Sequence, residues 1–405
     1  MTHIVKPDIA LPPDSDKITL TFFSFLSFVV GIPSTQVINL VGELYVTELL
    51  LVPLAFMLFF YGGASIFKVR LLKAFIIVGI CMIIGYLSSD IVAGTSSSNN
   101  LRAFGRNILL LSNIIALAIM LSVDKRLIWW FILGIAVGAI INLMLSNLPI
   151  TAWKFGYGRP VLLLVLLLSY FLPNRLTMLA ILCVGILSIY LDSRSMGAFC
   201  LIVAGIVFLR LKNPNGLKVS LSAIFRILII GIFVFALILA VLVQTETEHS
   251  TRRDASSAYR FSALSVGLIA VSDSPILGYG SWGEGTKKYA DMYYKKLVPE
   301  MRDLDMSNAL HKGNVFHPHS QVLQSWMEGG ILAAAFFIFL GYQLILGLKR
   351  VIFTRQVDYF TPLYSLLLLT SLWHVFMSPY SGGHRLSIAI SIAILCSLQL
   401  EKLKR

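Results

Sequence analysis

Charge is scarce in this chain. Asp, Glu, Lys and Arg make up 13% of its 405 residues, against 57% hydrophobic residues. No soluble domain of this size has that balance, and the composition reads as a polytopic membrane protein. Acid is scarcer than base, with 20 Asp and Glu against 33 Lys and Arg and a formal net charge of +13. The excess base does not read as a nucleic-acid patch, because most of it falls in short connections between apolar runs. Cysteine is limited to Cys81, Cys183, Cys200 and Cys396, all in apolar runs, which leaves neither a metal motif nor a disulfide framework. A phosphate-binding Gly-Lys-Ser/Thr loop and a dinucleotide fingerprint are both missing. No cleavable leader is expected, since the first apolar run starts only after Lys17 and lacks a small-residue cleavage site.

What is present is a series of apolar runs. Twelve have membrane character, at roughly 18–33, 46–62, 71–89, 104–122, 127–146, 159–173, 176–191, 195–211, 221–243, 319–347, 359–378 and 385–401. Pro173-Asn174-Arg175 between the sixth and seventh predicts a tight helical hairpin. With the N-terminus in the cytoplasm, eighteen Lys and Arg fall on the cytoplasmic side. The short outer connections then hold six: Arg102, Arg106, Lys154, Arg159, Arg194 and Arg385. That bias places both termini inside. The expected fold is all-α: nine spans in 1–243, a large outward loop with helices at 244–318, and three spans in 319–405.

A loop as long as 244–318 is usually functional. Within it Ala263, Val266 and Ala270 share a helical stripe, so a helix over 258–271 is expected to lie against the membrane or the bundle. Ser274-Pro275 should end it and Gly278-Tyr279-Gly280 should turn. Trp282, Tyr289, Tyr293 and Tyr294 follow; such aromatics either stack on sugar rings or form an interfacial belt.

The loop closes on His317-Pro318-His319-Ser320, at the head of the tenth span. Pro is well tolerated near a helix start, so His319 and Ser320 are expected in the first helical turn. The positive end of a helix disfavours imidazolium, which keeps His319 neutral and able to accept a proton. Arg194, between two apolar spans with almost no loop, must lie at the outer interface, either paired with Asp192 or reaching headgroups. Arg260 falls inside the amphipathic loop helix, as a solvated charge or a ligand contact. Two arginines and a neutral histidine on one side make joint chemical sense. Arginine grips phosphate oxygens with a permanent, forked charge, and histidine removes a proton from a hydroxyl. The set suits a hydroxyl attacking carbon while a pyrophosphate leaves. His317, Arg159, His384 and Arg385 share that side as secondary candidates for contact with either substrate, whereas His374, inside span eleven, reads as packed.

The pattern Arg260 … Pro275-Ile276-Leu277-Gly278-Tyr279-Gly280 … His317-Pro318-His319-Ser320-Gln321-Val322-Leu323-Gln324-Ser325-Trp326-Met327-Glu328-Gly329-Gly330 resembles the O-antigen ligase/polymerase family of GT-C-type glycosyltransferases of the bacterial inner membrane. The resemblance covers the loop and the following helix closely. It covers the rest by span count and by Arg194 at the outer end of a span. It implies a donor glycan on undecaprenyl pyrophosphate and an inverting, metal-independent transfer without a cofactor. It also implies a catalytic His319 and donor-phosphate contacts from Arg194 and Arg260. Ser320 stands where many relatives have Asn; both residues cap helices. Glu328, nine residues beyond His319, lies half a turn round the helix, so it is expected to be structural or to contact another span.

Three activities fit that resemblance: ligation of O-antigen to lipid A–core, polymerisation of lipid-linked repeats, and protein O-glycosylation. The compact chain, with one large outer loop, favours ligation, with polymerisation next. A transporter without chemistry is the reading from another class. It meets no internal repeat and no matched broken spans here, and it leaves the loop motif unexplained.

Overall fold

The computed structural model describes residues 14–39, 42–149, 152–212, 250–286, 288–289, 292, 318–353 and 360–403. The ninth expected span, 221–243, lies outside the described residues, as do His317, Tyr293 and Tyr294. Among the described residues twelve α-helices carry the fold: α1 Asp14–Gly31, α2 Val46–Phe60, α3 Arg70–Ala93, α4 Ser97–Val123, α5 Lys125–Leu145 and α6 Gly158–Leu168, then α7 Asn174–Tyr190, α8 Arg194–Lys212, α9 Ser250–Asp273, α10 Gln321–Phe353, α11 Thr361–Met377 and α12 Gly382–Leu403. Six helical stretches of these residues are long and apolar enough to cross a membrane, formed by α1, α3, α4, α5, α10 and α12; α2, α7, α8 and α11 are shorter and apolar. The protein is a multi-pass membrane protein with a nearly all-helical fold. Among the described residues the one sheet is a small antiparallel hairpin, Val37–Asn39 against Glu43–Tyr45, between α1 and α2.

Local chemistry sets the helix ends. Asp124 accepts a hydrogen bond from the Arg126 N–H at 2.6 Å and so caps α5. Gly94 ends α3 in the left-handed region, at φ 66°. Asp192, also left-handed at φ 57°, makes the tight turn from α7 to α8. The 158–190 segment is the expected helical hairpin, turning through Ser169–Pro173.

α4 and α12 are the central helices, with 67% and 72% of their spans buried, while α1 is peripheral at 28%. α1 packs against α5 by backbone approach. A Cβ on Gly134 or Gly138 would collide with the Phe28 or Ile32 carbonyl, as expected where helices meet in lipid through small residues. A second, smaller core sits apart from the main one. Ala263, Val266, Ala270 and Val271 of α9 pack with Tyr289 and Met327, and with Leu323 and Trp326 at their edge. The stripe read from the sequence therefore meets protein, and its partner is the first part of α10.

Candidate functional site

α10 is continuous in sequence but interrupted in space. Gly329 and Gly330 leave helical geometry, Gly330 with φ 68° and ψ −165°. In an unbroken helix the Ile331 N–H would donate to the Met327 carbonyl four residues back. Here the loop enters between them. The Tyr279 N–H donates to Met327 O at 2.6 Å, and Ile331 N–H donates to Ile276 O at 3.1 Å. One helical hydrogen bond is thus replaced by two to the Ile276–Tyr279 segment. That satisfies the freed backbone groups, a requirement at membrane depth. Only glycine fits at 330, where the backbone is left-handed and a Cβ would overlap Ile276. The loop is fastened further by Trp326 Nε1 donating to Pro275 O at 2.7 Å and by Gly280 N donating to Ser89 Oγ at 2.9 Å. The Asp90 carboxylate accepts from the Ser281 backbone and hydroxyl. Residues 321–328 form a half-helix held between the loop and the bundle.

His319 stands just before that half-helix. It lies one residue outside the expected first turn, because Ser320 is the cap: its Oγ accepts from the Leu323 N–H at 3.4 Å. The Ser320 hydroxyl also reaches Val375 O on α11, at 3.3 Å. Ser320 thus takes the capping role expected at this position. His319 is half-buried, and burial is the main cause that holds its pKa below the usual histidine value, with the Arg260 charge acting in the same direction. The imidazole is therefore kept neutral and able to accept a proton. Arg260 is exposed on α9 and has no hydrogen bond or ion pair among the described residues.

The other sequence candidates fall in two places. Arg194 starts α8, about one-third exposed, with Asp192 at 3.8 Å. α8 packs on α11, where Phe199 meets Trp373 with ring centroids 5.9 Å apart, so Arg194 opens on the same end of the bundle as His374. His374 and His384 face each other at 4.4 Å between centroids. Arg159 lies near enough to act electrostatically on both. Arg385 goes elsewhere. It is buried, and it donates to both Glu48 oxygens, at 2.8 and 2.6 Å, and to the Glu43 carbonyl at 2.6 Å. Asn113 completes the Glu48 environment at 2.8 Å.

A second buried charge pair joins two residues whose partnership the local pattern does not show. Arg106, counted with the outer connections, is inside the bundle, bonded to Glu328 at 2.5 Å. Its guanidinium is faced by Tyr86, Trp282 and Tyr380, at 5.4, 4.7 and 4.5 Å from their ring centres. Gln324 Nε2 donates to the other Glu328 oxygen at 2.9 Å, and Gln324 accepts from the Tyr380 N–H at 2.6 Å. Glu328 thus contacts other spans, as its helical offset from His319 implies. Tyr289 is buried in the fold, and Trp282, half-buried, lies against Arg106. Tyr289 bonds Tyr279 at 2.6 Å and Asp273 at 2.5 Å. The readable trace of this layer was the presence of Arg106 and Glu328 inside apolar runs, where each needs a partner.

Among the described residues no group of three or more His, Cys, Asp and Glu is placed to hold a metal ion. No curated protein matches the chain. Residues 178–338 match the family model described as O-Antigen ligase, so the chain carries an O-antigen ligase family domain that runs from α7 into α10 and contains Arg194, Arg260 and His319.

Proposed function

We infer that this protein is an O-antigen ligase, moving a glycan from undecaprenyl pyrophosphate to a hydroxyl of lipid A–core at the periplasmic face of the bacterial inner membrane. The observation that carries the reading is His319: a half-buried imidazole held neutral by burial and by Arg260, at the entry to a half-helix, within the matched domain. In the reaction, His319 takes the proton of the acceptor hydroxyl as that oxygen forms a bond to the anomeric carbon. The bond from that carbon to the pyrophosphate oxygen breaks on the opposite face, so the configuration inverts. Undecaprenyl pyrophosphate leaves with the electron pair, and Arg194 and Arg260 stabilise its growing charge. No step calls on a metal or a cofactor, and membrane lipids surround the site.

The test is transfer by purified protein supplied with both lipids. A glycan joined to lipid A–core with inverted configuration, at a rate indifferent to EDTA, supports the reading. Elongation of the lipid-linked glycan when lipid A–core is withheld would replace it with a polymerase. Movement of substrate across vesicles without a new bond would replace it with a transporter. A reporter at Lys288 should score periplasmic, and a cytoplasmic score there would overturn the orientation.

A further inference from the structure

Arg159 has no hydrogen bond or ion pair among the described residues. Arg159 is exposed at the start of α6, which packs on α11, and its charge acts on the two histidines there. A permanent cation at that place lacks the carboxylate that the buried arginines have. Beside it stand two imidazoles. His384 is fixed through Nδ1 to Ser381 Oγ at 2.9 Å and through a further bond to the Pro379 carbonyl. Its ring lies against that of His374, whose Nδ1 is engaged by Ser378 Oγ at 3.0 Å. His374 Nε2 has no partner among the described residues.

A third group belongs to the same wall. Gln321 is fully buried, and neither its amide oxygen nor its amide nitrogen has a partner among the described residues. It sits one turn before Gln324 on the same helical face, and Gln324 bonds Tyr380 in the connection between α11 and α12. Gln321 therefore faces that connection, where Ser378 and Ser381 hold the histidines. A buried amide left with both ends unsatisfied costs stability, so its presence asks for a ligand. Ser320, between His319 and Gln321, bonds the carbonyl of Val375, next to His374. These residues thus adjoin the proposed base through Ser320.

We propose that Arg159, His374 and Gln321 form a subsite for an anionic sugar of the glycan acceptor, with His384 as a positioning residue for the His374 ring. The proposal rests on the glycan-transfer reading. Arg159 takes a phosphate or carboxylate through its fork, while the imidazole and the amide bond neighbouring sugar hydroxyls. The donor phosphates keep Arg194 and Arg260.

The test measures binding of purified lipid A–core, native and phosphatase-treated, to His319→Ala protein, in which no turnover intervenes. Added Arg159→Gln should weaken native lipid A–core at least tenfold, with part restored by Arg159→Lys and donor affinity unmoved. If phosphatase treatment abolishes the difference between the parent and the Arg159→Gln protein, the anion is a phosphate; if the difference persists, it is a carboxylate. Gln321→Leu should weaken the acceptor severalfold while the melting temperature holds or rises, which a purely structural amide would not do. Acceptor binding within twofold of the parent in Arg159→Gln, or a loss falling on the donor, would overturn the subsite. Failure of the function itself looks different: the unmutated protein would bind lipid A–core and transfer nothing to it.

Discussion

Arg106 and Arg385 lie a short way inside the bundle, each buried and each neutralised by a carboxylate, Glu328 and Glu48. Arg159 and Arg260, nearer the surface at the same end, have no carboxylate among the described residues. The two sets share a side chain and differ in what the fold has provided. An arginine that the structure neutralises holds helices together. The ones left unneutralised are those to which the proposed function and subsite assign a ligand. Among these four, a buried carboxylate partner separates the two kinds; Arg194, with Asp192 at 3.8 Å near the surface, stands between them.

Substitution should split them by readout, activity at the surface and stability inside. The largest change is expected from His319→Ala, with transfer falling by ~10²–10⁴-fold and melting almost unmoved. A near-normal rate would shift the base to another residue. The same group fixes the pH response. The neutral form is the active one, so the rate falls as pH drops through the His319 pKa. Because that pKa lies below 6.5, the acid limb should also lie below 6.5. Arg260→Gln removes one of the two lowering influences and should move the limb upward; an unshifted limb would detach Arg260 from His319.

Next in size is Glu328→Ala, which leaves Arg106 buried without its carboxylate. The expected loss is about 3–5 kcal/mol of stability, read from thermal unfolding in detergent. The joint change Arg106→Met with Glu328→Leu should recover most of it. If the single and the double variants unfold alike, the pair is not what holds this layer. Arg194→Ala and Arg260→Ala should each cost roughly 1.5–3 kcal/mol in the transition state, at least tenfold in rate, with partial rescue by Lys. Wild-type turnover in either would remove it from the leaving-group role. The smallest effect belongs to Lys154→Ala. Its pairing with Asp192, at 3.8 Å and well exposed, should contribute less than about 0.5 kcal/mol. A larger shift would mean that exposed pairs also hold this fold.

Much of this arrangement was readable from the chain. Apolar runs located the helices because the lipid core demands long apolar stretches. The stripe Ala263, Val266 and Ala270 announced α9, since helical period shows which face is covered. His319, Arg194 and Arg260 were legible as polar groups where few occur. Partnership was not legible. Arg106 and Glu328 are 222 residues apart, and Arg385 and Glu48 are 337 apart; local pattern carries no record of who meets whom at that separation. The hairpin at 37–45 escaped because strands of three residues leave too short a pattern. The break in α10 escaped because apolar character runs on through it. Gly329-Gly330 was the one local sign, and its meaning depended on a distant upstream segment, 276–279.

That break bears on how the protein is made. Residues 276–279 leave the ribosome before the span they complete, so the Ile276 carbonyl and the Tyr279 amide exist before Ile331 and Met327 need them. Without the docked loop, Ile331 N–H and Met327 O can close the ordinary helical hydrogen bond, so docking exchanges that one bond for two to the loop. Docking of the loop is therefore the step that breaks α10 and sets off the half-helix behind His319.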